Sequence, residues 1–327
     1  MFRFSIVILV LCFMSCNTKK EQLKLKKDKV VIAHRGASGY LPEHTLESKV
    51  MAYAMDADFI EQDIVLSQDN VPIVIHDIHL EAVTDVALKF PNRKRKDGSF
   101  YVIDFTFNEL KTLNVFERIN PEDNNPVYAT RFPINKSRFQ LHSLQEEIEL
   151  IQGLNKSTGK NIGIYPEIKE PSFHKKEGKD ISKIVLKVLD DYGYRTKMDK
   201  CILQCFDSFE LKRVRDELKS ELFLLQLIEF PEDEEQLKEY AKYADGIGPW
   251  YYQIIMGKDK NGHWQLSDLV EDAHNLKLEV HAYTFRTDKL GEFKSFENLL
   301  DVALNKANVD GVITDFPDKV VDFINKN

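Results

Sequence analysis

The chain is 327 residues long, 43% hydrophobic and 30% charged, with a formal net charge of −8. That acidity argues against non-specific nucleic-acid binding, which needs a basic face, so an anionic substrate would require a local basic pocket. The length suits one α/β barrel with an insertion or two small domains.

Met1-Phe-Arg-Phe leads into an apolar run from Ser5 to Met14, followed by Ser15-Cys16. A basic residue, a short apolar core and a small residue before the cut mark a secretory signal, and the core is too short to span a bilayer. Cys16, directly after Ser15, is the expected lipidation point, so residues 1–15 read as a lipoprotein-type signal peptide. Residues 16–28 are lysine-rich without an apolar period and read as a flexible tether. The folded body is expected over residues 29–327. The protein is therefore expected to be exported, as a periplasmic or outer-membrane lipoprotein of a Gram-negative-type bacterium anchored to the membrane through its N-terminal lipid. Cys12 falls in the signal. Cys201 and Cys205 share one strand-like run and lie roughly 13 Å apart along it, beyond the reach of a disulfide, which needs Cα atoms within about 7 Å.

From residue 30 onward, short apolar runs alternate with amphipathic stretches. Strands are predicted at Val30–Ala33, Asp58–Asp63, Val71–Ile75, Ile162–Glu167, Cys201–Gln204, Leu222–Leu227, Asp245–Gly248, Leu278–Tyr283 and Gly311–Thr314. Helical periodicity covers about 46–56, 180–191, 207–219, 233–243, 266–276 and 296–307, and Ser143-Leu-Gln-Glu146 is a capping box opening another helix. Thr45 is the expected N-cap of the first helix. Alternation of this kind implies parallel strands joined by helices. Only Ile64 to Asn70 separate the second and third candidates, and a parallel crossover needs a dozen or more residues. Val71–Ile75 must therefore return antiparallel, with Gln68-Asp69-Asn70 at the tip. The other eight strands then close as a TIM-type (β/α)8 barrel. Between about 79 and 140 the alternation breaks, which reads as an inserted cap; Arg93–Lys96 within it reads as a solvated turn.

The chemistry-bearing residues gather at strand ends, where active sites of this fold sit. Glu61 and Asp63 are one residue apart, so on a strand both leave the same face. Two acids side by side repel unless a proton or cation lies between them, and Glu167 ends another strand as a third carboxylate. An all-oxygen set favours one hard divalent cation, Ca²⁺ or Mg²⁺, over zinc. His34 and His76 also end strands beside these acids and titrate near neutrality, so one can take a proton while the other gives one. Arg35 and Lys169 supply the positive charge a phosphodiester needs. Glu43, Phe206, Trp250 and Tyr283 are candidates for the pocket wall; Trp250 and Tyr283 either meet a choline-like cation through their π faces or simply pack. Phe105, Phe107 and Trp250 are the candidates for an apolar lip, which a diacylated or sphingoid substrate would call for. His44, His79, His142, His174, His263 and His274 lack such context and are assigned to packing or the surface.

With these residues assembled, the chain resembles the glycerophosphodiester phosphodiesterase family, especially its periplasmic bacterial members, over about residues 29–326. The resemblance rests on His34-Arg35-Gly36, Glu61-Gln-Asp63, His76-Asp77, Ile164-Tyr-Pro-Glu-Ile-Lys169, Gln204-Cys-Phe-Asp207 and Thr314-Asp-Phe-Pro317. It implies an enzyme with a TIM-type barrel that hydrolyses glycerophosphodiesters, such as glycerophosphocholine and glycerophosphoethanolamine, to sn-glycerol 3-phosphate and an alcohol. It further implies Glu61, Asp63 and Glu167 on one divalent cation, Ca²⁺ first as in the periplasmic members and Mg²⁺ as the alternative, His34 and His76 as acid and base, and Arg35 and Lys169 on the phosphoryl oxygens. The family route runs through attack by the substrate's own 2-hydroxyl and a cyclic phosphate. Two positions depart from the family pattern: Trp250 stands where an acid is expected, and Ala282 where proline is usual.

Overall fold

A computed structural model describes residues 29–326; the predicted signal, Cys16 and the rest of the tether lie outside the described residues. Eight parallel strands form a closed barrel: β1 (Val30–Ala33), β2 (Phe59–Leu66), β4 (Gly163–Ile168), β5 (Ile202–Cys205), β6 (Phe223–Ile228), β7 (Gly246–Pro249), β10 (Glu279–Phe285) and β11 (Gly311–Thr314). Closure comes from β1, which pairs with β11 through Val30↔Gly311 and with β2 through Ile32↔Phe59. Alternate residues serve opposite faces. Ile32, Phe59, Tyr165, Ile202, Leu225 and Ile313 fill the barrel interior, while Val31, Ile60, Ile164, Leu203, Leu224 and Val312 pack outward with the helices.

The strand β3 (Pro72–Val74) returns antiparallel along β2, with Ile64↔Val74 and Leu66↔Pro72. The backbone N–H of Ile75 donates to the Asp63 carbonyl at 2.9 Å, which brings His76 down beside Asp63 as the spacing argument required. The predicted capping box is present: Ser143 Oγ accepts from the Glu146 N–H at 3.2 Å, and Glu146 Oε2 accepts from the Ser143 N–H at 2.9 Å. The helix it opens runs over Leu144–Thr158. Thr45 caps the first helix, Leu46–Ala54.

Three features differ from the sequence reading. The region from Leu80 to Leu141 is a packed layer in which Val83, Val86, Phe100, Val102, Leu110 and Val115 build their own core against Ile73 and Ile75 of the hairpin. Phe105 lies at its centre, fully buried, so it forms no lip. Within Arg93–Lys96 the two lysines are exposed, but the arginines are engaged: Arg93 pairs with Glu109, and Arg95 lies over the Tyr101 ring and pairs with Asp104 and with Glu177 beyond β4. After β7 the chain adds a small hairpin, β8 (Ile255–Lys258) with β9 (Trp264–Leu266), which delays the next helix to Leu269–Asn275. Cys201 and Cys205 are both buried and unpaired, as expected.

Candidate active site

The predicted residues meet at the C-terminal end of the barrel. A cavity of about 250 Å³ there is lined by His34, Arg35, Glu61, Asp63, His76, Glu167 and Lys169, with Phe206, Trp250 and Tyr283 at its side. Glu43 is the exception. It sits behind the wall, where it holds the Arg35 guanidinium at 2.9 and 3.0 Å and accepts from Arg118 at 2.6 and 3.0 Å. The turn that carries Arg35 needs a glycine next: Gly36 has φ of 88°, and a Cβ there would lie 2.5 Å from Ser48 Oγ. Arg35 (φ 56°) and His44 (φ 54°) themselves occupy the left-handed region, sparse for residues with a Cβ and often retained at functional sites.

One oxygen from each of Glu61, Asp63 and Glu167 lies within 4.8 Å of the others, and all three side chains are buried. Buried carboxylates this close need a cation or protons. Burial pushes Glu61 up against the pull of His34. It pushes Glu167 well up, helped by Asp63 and Glu61 and opposed by Lys169. Burial alone would raise Asp63 too, but Lys169 and His44 outweigh it and hold Asp63 low. Asp63 Oδ1 is buried with no hydrogen-bond partner among the described residues. An orphaned carboxylate oxygen on an acid clustered with two others that favour protonation fits a hard divalent cation.

The two histidines are held alike. His34 Nδ1 donates to Asp315 Oδ1 at 2.5 Å, and His76 Nδ1 donates to Asp77 Oδ1 at 2.6 Å. Each aspartate is clamped in turn: Asp315 by Arg131 at 2.6 Å and Arg286 at 2.7 Å, Asp77 by Arg118 at 2.6 Å. Fixing Nδ1–H leaves each Nε2 as the working atom, turned inward. His34 Nε2 lies 3.8 Å from Glu61, and His76 Nε2 accepts from Lys169 Nζ at 3.3 Å. Burial, then Arg35 and Lys169, depresses the His76 pKa to about 4. Lys169 also donates to Glu167 at 2.7 Å.

Sequence reasoning missed several members of this cluster. Asp315 and Asp77 directly follow a site-forming strand or histidine, so the strand-end rule could have found them. Arg286 lines the cavity as a third cation. His44 is no packing residue by default: fully buried, its Nε2 donates to Asp63 Oδ2 at 2.7 Å, and its Nδ1 accepts from Lys49 at 3.2 Å. Burial, then Lys49, drives the His44 pKa down to about 3, so it stays neutral. His142 is likewise buried, against Glu147 at 2.7 Å, and Glu147 pairs with Lys49 at 3.1 Å.

Residues 34–319 match the model of the glycerophosphoryl diester phosphodiesterase family. The glycerophosphodiester phosphodiesterase of Haemophilus influenzae is 46% identical over 95% of this chain and 93% of its own length. That of Treponema pallidum is 39% identical over 91% of this chain and 92% of its own. Among solved structures, an Oleispira antarctica phosphodiesterase in complex with its product sn-glycerol-3-phosphate aligns with a TM-score of 0.63 at 20% identity, covering 90% of this chain and 96% of that one. The same barrel recurs in the Thermotoga maritima glycerophosphodiester phosphodiesterase, with a TM-score of 0.55 at 19% identity over 90% and 98% of the two chains.

Proposed function

The chain belongs to the glycerophosphoryl diester phosphodiesterase family and is an enzyme of that class, and on that premise we propose that it hydrolyses glycerophosphodiesters to sn-glycerol 3-phosphate and an alcohol, with His34 and His76 as the acid–base pair and one divalent cation, Ca²⁺ first, on Glu61, Asp63 and Glu167. The observation that carries the reading is the mirrored pair of aspartate-held histidines flanking three buried carboxylates. The cation would supply Lewis-acid charge stabilisation at the phosphoryl group. Arg35 and Lys169 would hold phosphoryl oxygens, with Arg35 kept in place by Glu43.

In the proposed first half-reaction the substrate's 2-hydroxyl oxygen bonds to phosphorus while the bond from phosphorus to the alcohol oxygen breaks. One histidine takes the hydroxyl proton and the other delivers a proton to the departing alcohol. Water then opens the cyclic phosphate with the roles exchanged. A neighbouring hydroxyl has the rate advantage of an intramolecular nucleophile. Purified protein should release glycerol 3-phosphate from glycerophosphocholine, and the 2-deoxy analogue should be inert; turnover of the 2-deoxy compound would exclude the cyclic route.

The periplasmic type of the family and an N-terminal lipid anchor at Cys16 belong to the same proposal, supported by the signal pattern in residues 1–16. Cys16→Ser should move the protein from the membrane to the soluble fraction, and unchanged partitioning would refute lipidation.

A further inference from the structure

A groove of about 1060 Å³ opens from the reaction cavity. His76, Lys169, Phe206, Trp250 and Tyr283 line both spaces, so they form the passage between them. The passage is aromatic: Phe206 and Tyr283 meet edge to face at 5.9 Å, Trp250 bridges to Tyr283 along the backbone, and Trp250 meets Tyr252 at 4.7 Å. Phe206, Phe230, Trp250, Tyr252 and Met256 are all exposed here, a concentration of apolar surface that a soluble face rarely leaves without a ligand.

Charge changes sign along the path. The reaction cavity presents Arg35, Lys169 and Arg286, whereas Lys169 at the inner end is the groove's one basic lining residue. Glu170 adjoins it in sequence, and beyond them stand six more acids. Three are engaged locally: Glu232 accepts from Tyr240, Asp233 caps the helix that follows it, and Glu234 pairs with Lys238. The carboxylates of Glu229, Asp268 and Asp272 have no hydrogen bond or ion pair among the described residues, although all three line the groove. A positive cavity for phosphate opening onto aromatic faces and free carboxylates complements a zwitterion: a phosphodiester anion joined to a cationic alcohol.

We propose that this groove is the subsite for the departing alcohol and that it selects alcohols carrying an ammonium group, with Trp250 and Phe206 offering π faces and Glu229, Asp268 and Asp272 the counter-charge. The proposal rests on the phosphodiesterase reading above and adds to it a discrimination that lies in this chain's own groove. Trp250, where the resemblance leads one to expect an acid, is the residue that gives this mouth its aromatic character.

The test compares glycerophosphocholine with its uncharged isostere, the glycerophosphodiester of 3,3-dimethylbutanol, which keeps the shape and removes the charge. Wild-type kcat/KM is expected to favour the choline ester by about tenfold, the scale of one partly desolvated cation–π contact. The preference should shrink toward unity in Trp250→Leu and in the triple variant Glu229→Gln, Asp268→Asn, Asp272→Asn. Equal kcat/KM for the two esters in wild type, or an undiminished preference in both variants, overturns the subsite. A readout independent of turnover is choline quenching of tryptophan fluorescence. Quenching present in wild type and absent in Trp250→Leu supports the groove even if neither ester is hydrolysed, a result that would sink the phosphodiesterase reading instead. No quenching at saturating choline overturns the subsite.

Discussion

Replacing either His34 or His76 by alanine is expected to lower kcat by about 10²–10⁴-fold, the range that a positioned acid or base contributes. The fold should survive, because neither change strands a buried charge: Asp315 keeps Arg131 and Arg286, and Asp77 keeps Arg118. Loss of stability should stay within about 2 kcal/mol, ordinary for a point change that leaves its neighbours paired. Circular dichroism melts beside steady-state rates on glycerophosphocholine separate the two effects, and near-wild-type kcat in either variant would falsify the acid–base assignment. The pH profile adds a sign. His76 is held neutral down to about 4 by burial, Arg35 and Lys169, and a cation on the adjacent carboxylates pushes the same way. The native state thus binds fewer protons at this residue than the unfolded chain does. The stability associated with neutral His76 is present above the ordinary histidine pKa and is lost as pH falls through about 4. His76→Ala should remove that part of the acid destabilisation.

The barrel was legible because its signals are local. Eight strands are short apolar runs buried on both faces, and the seven residues between Asp63 and Val71 forced the hairpin that returns His76 to Asp63. The metal and histidine candidates followed from one rule, that side chains at strand ends share the barrel mouth. What stayed hidden depends on distant partners. His44 sits in a left-handed turn with no periodicity to mark it, and only the fold brings it under Asp63. Glu43 read as a wall residue because it precedes the helix cap, but Arg118 arrives from 75 positions away and draws it behind Arg35. The packed layer over 80–141 reads as irregular in sequence because it is stitched by isolated bridges, such as His79 with Tyr101 and Val115 with Phe139, which leave no repeat. Asp315 is the instructive omission: it directly follows β11, at a strand end as Glu167 is in β4, and the same rule applied to every strand would have included it.

Treatment with EDTA is expected to abolish turnover, with Ca²⁺ restoring it more fully than Mg²⁺. The reason lies in the carboxylates. Three buried acids with oxygens within 4.8 Å cannot all ionise without a cation, and burial already raises both Glu61 and Glu167. Without a cation, burial favours protons on Glu61 and Glu167. Binding must therefore expel them, and affinity must rise with pH as Glu61 and Glu167 ionise, the sign fixed by their upward displacement. Calorimetric titrations with Ca²⁺ in two buffers of different ionisation enthalpy should show proton release. Because the proposed ion site is assembled only in the folded chain, Tm should also rise with Ca²⁺ concentration, by a stabilisation of about 2.7 kcal/mol at a hundredfold excess over Kd. Ca²⁺ is expected to exceed Mg²⁺ because its longer, looser coordination tolerates carboxylates fixed by their neighbours: Glu61 by Gln204 at 2.9 Å, Asp63 by His44 at 2.7 Å, Glu167 by Lys169 at 2.7 Å. Asp63→Asn should lose both the Tm response and turnover, because it replaces the one carboxylate that Lys169 and His44 keep ionised and neutralises its orphaned oxygen. EDTA-treated protein with full activity and a Tm indifferent to millimolar Ca²⁺ would remove the cation from the site, leaving Glu61 and Glu167 as proton-sharing acids beside His34 and Lys169.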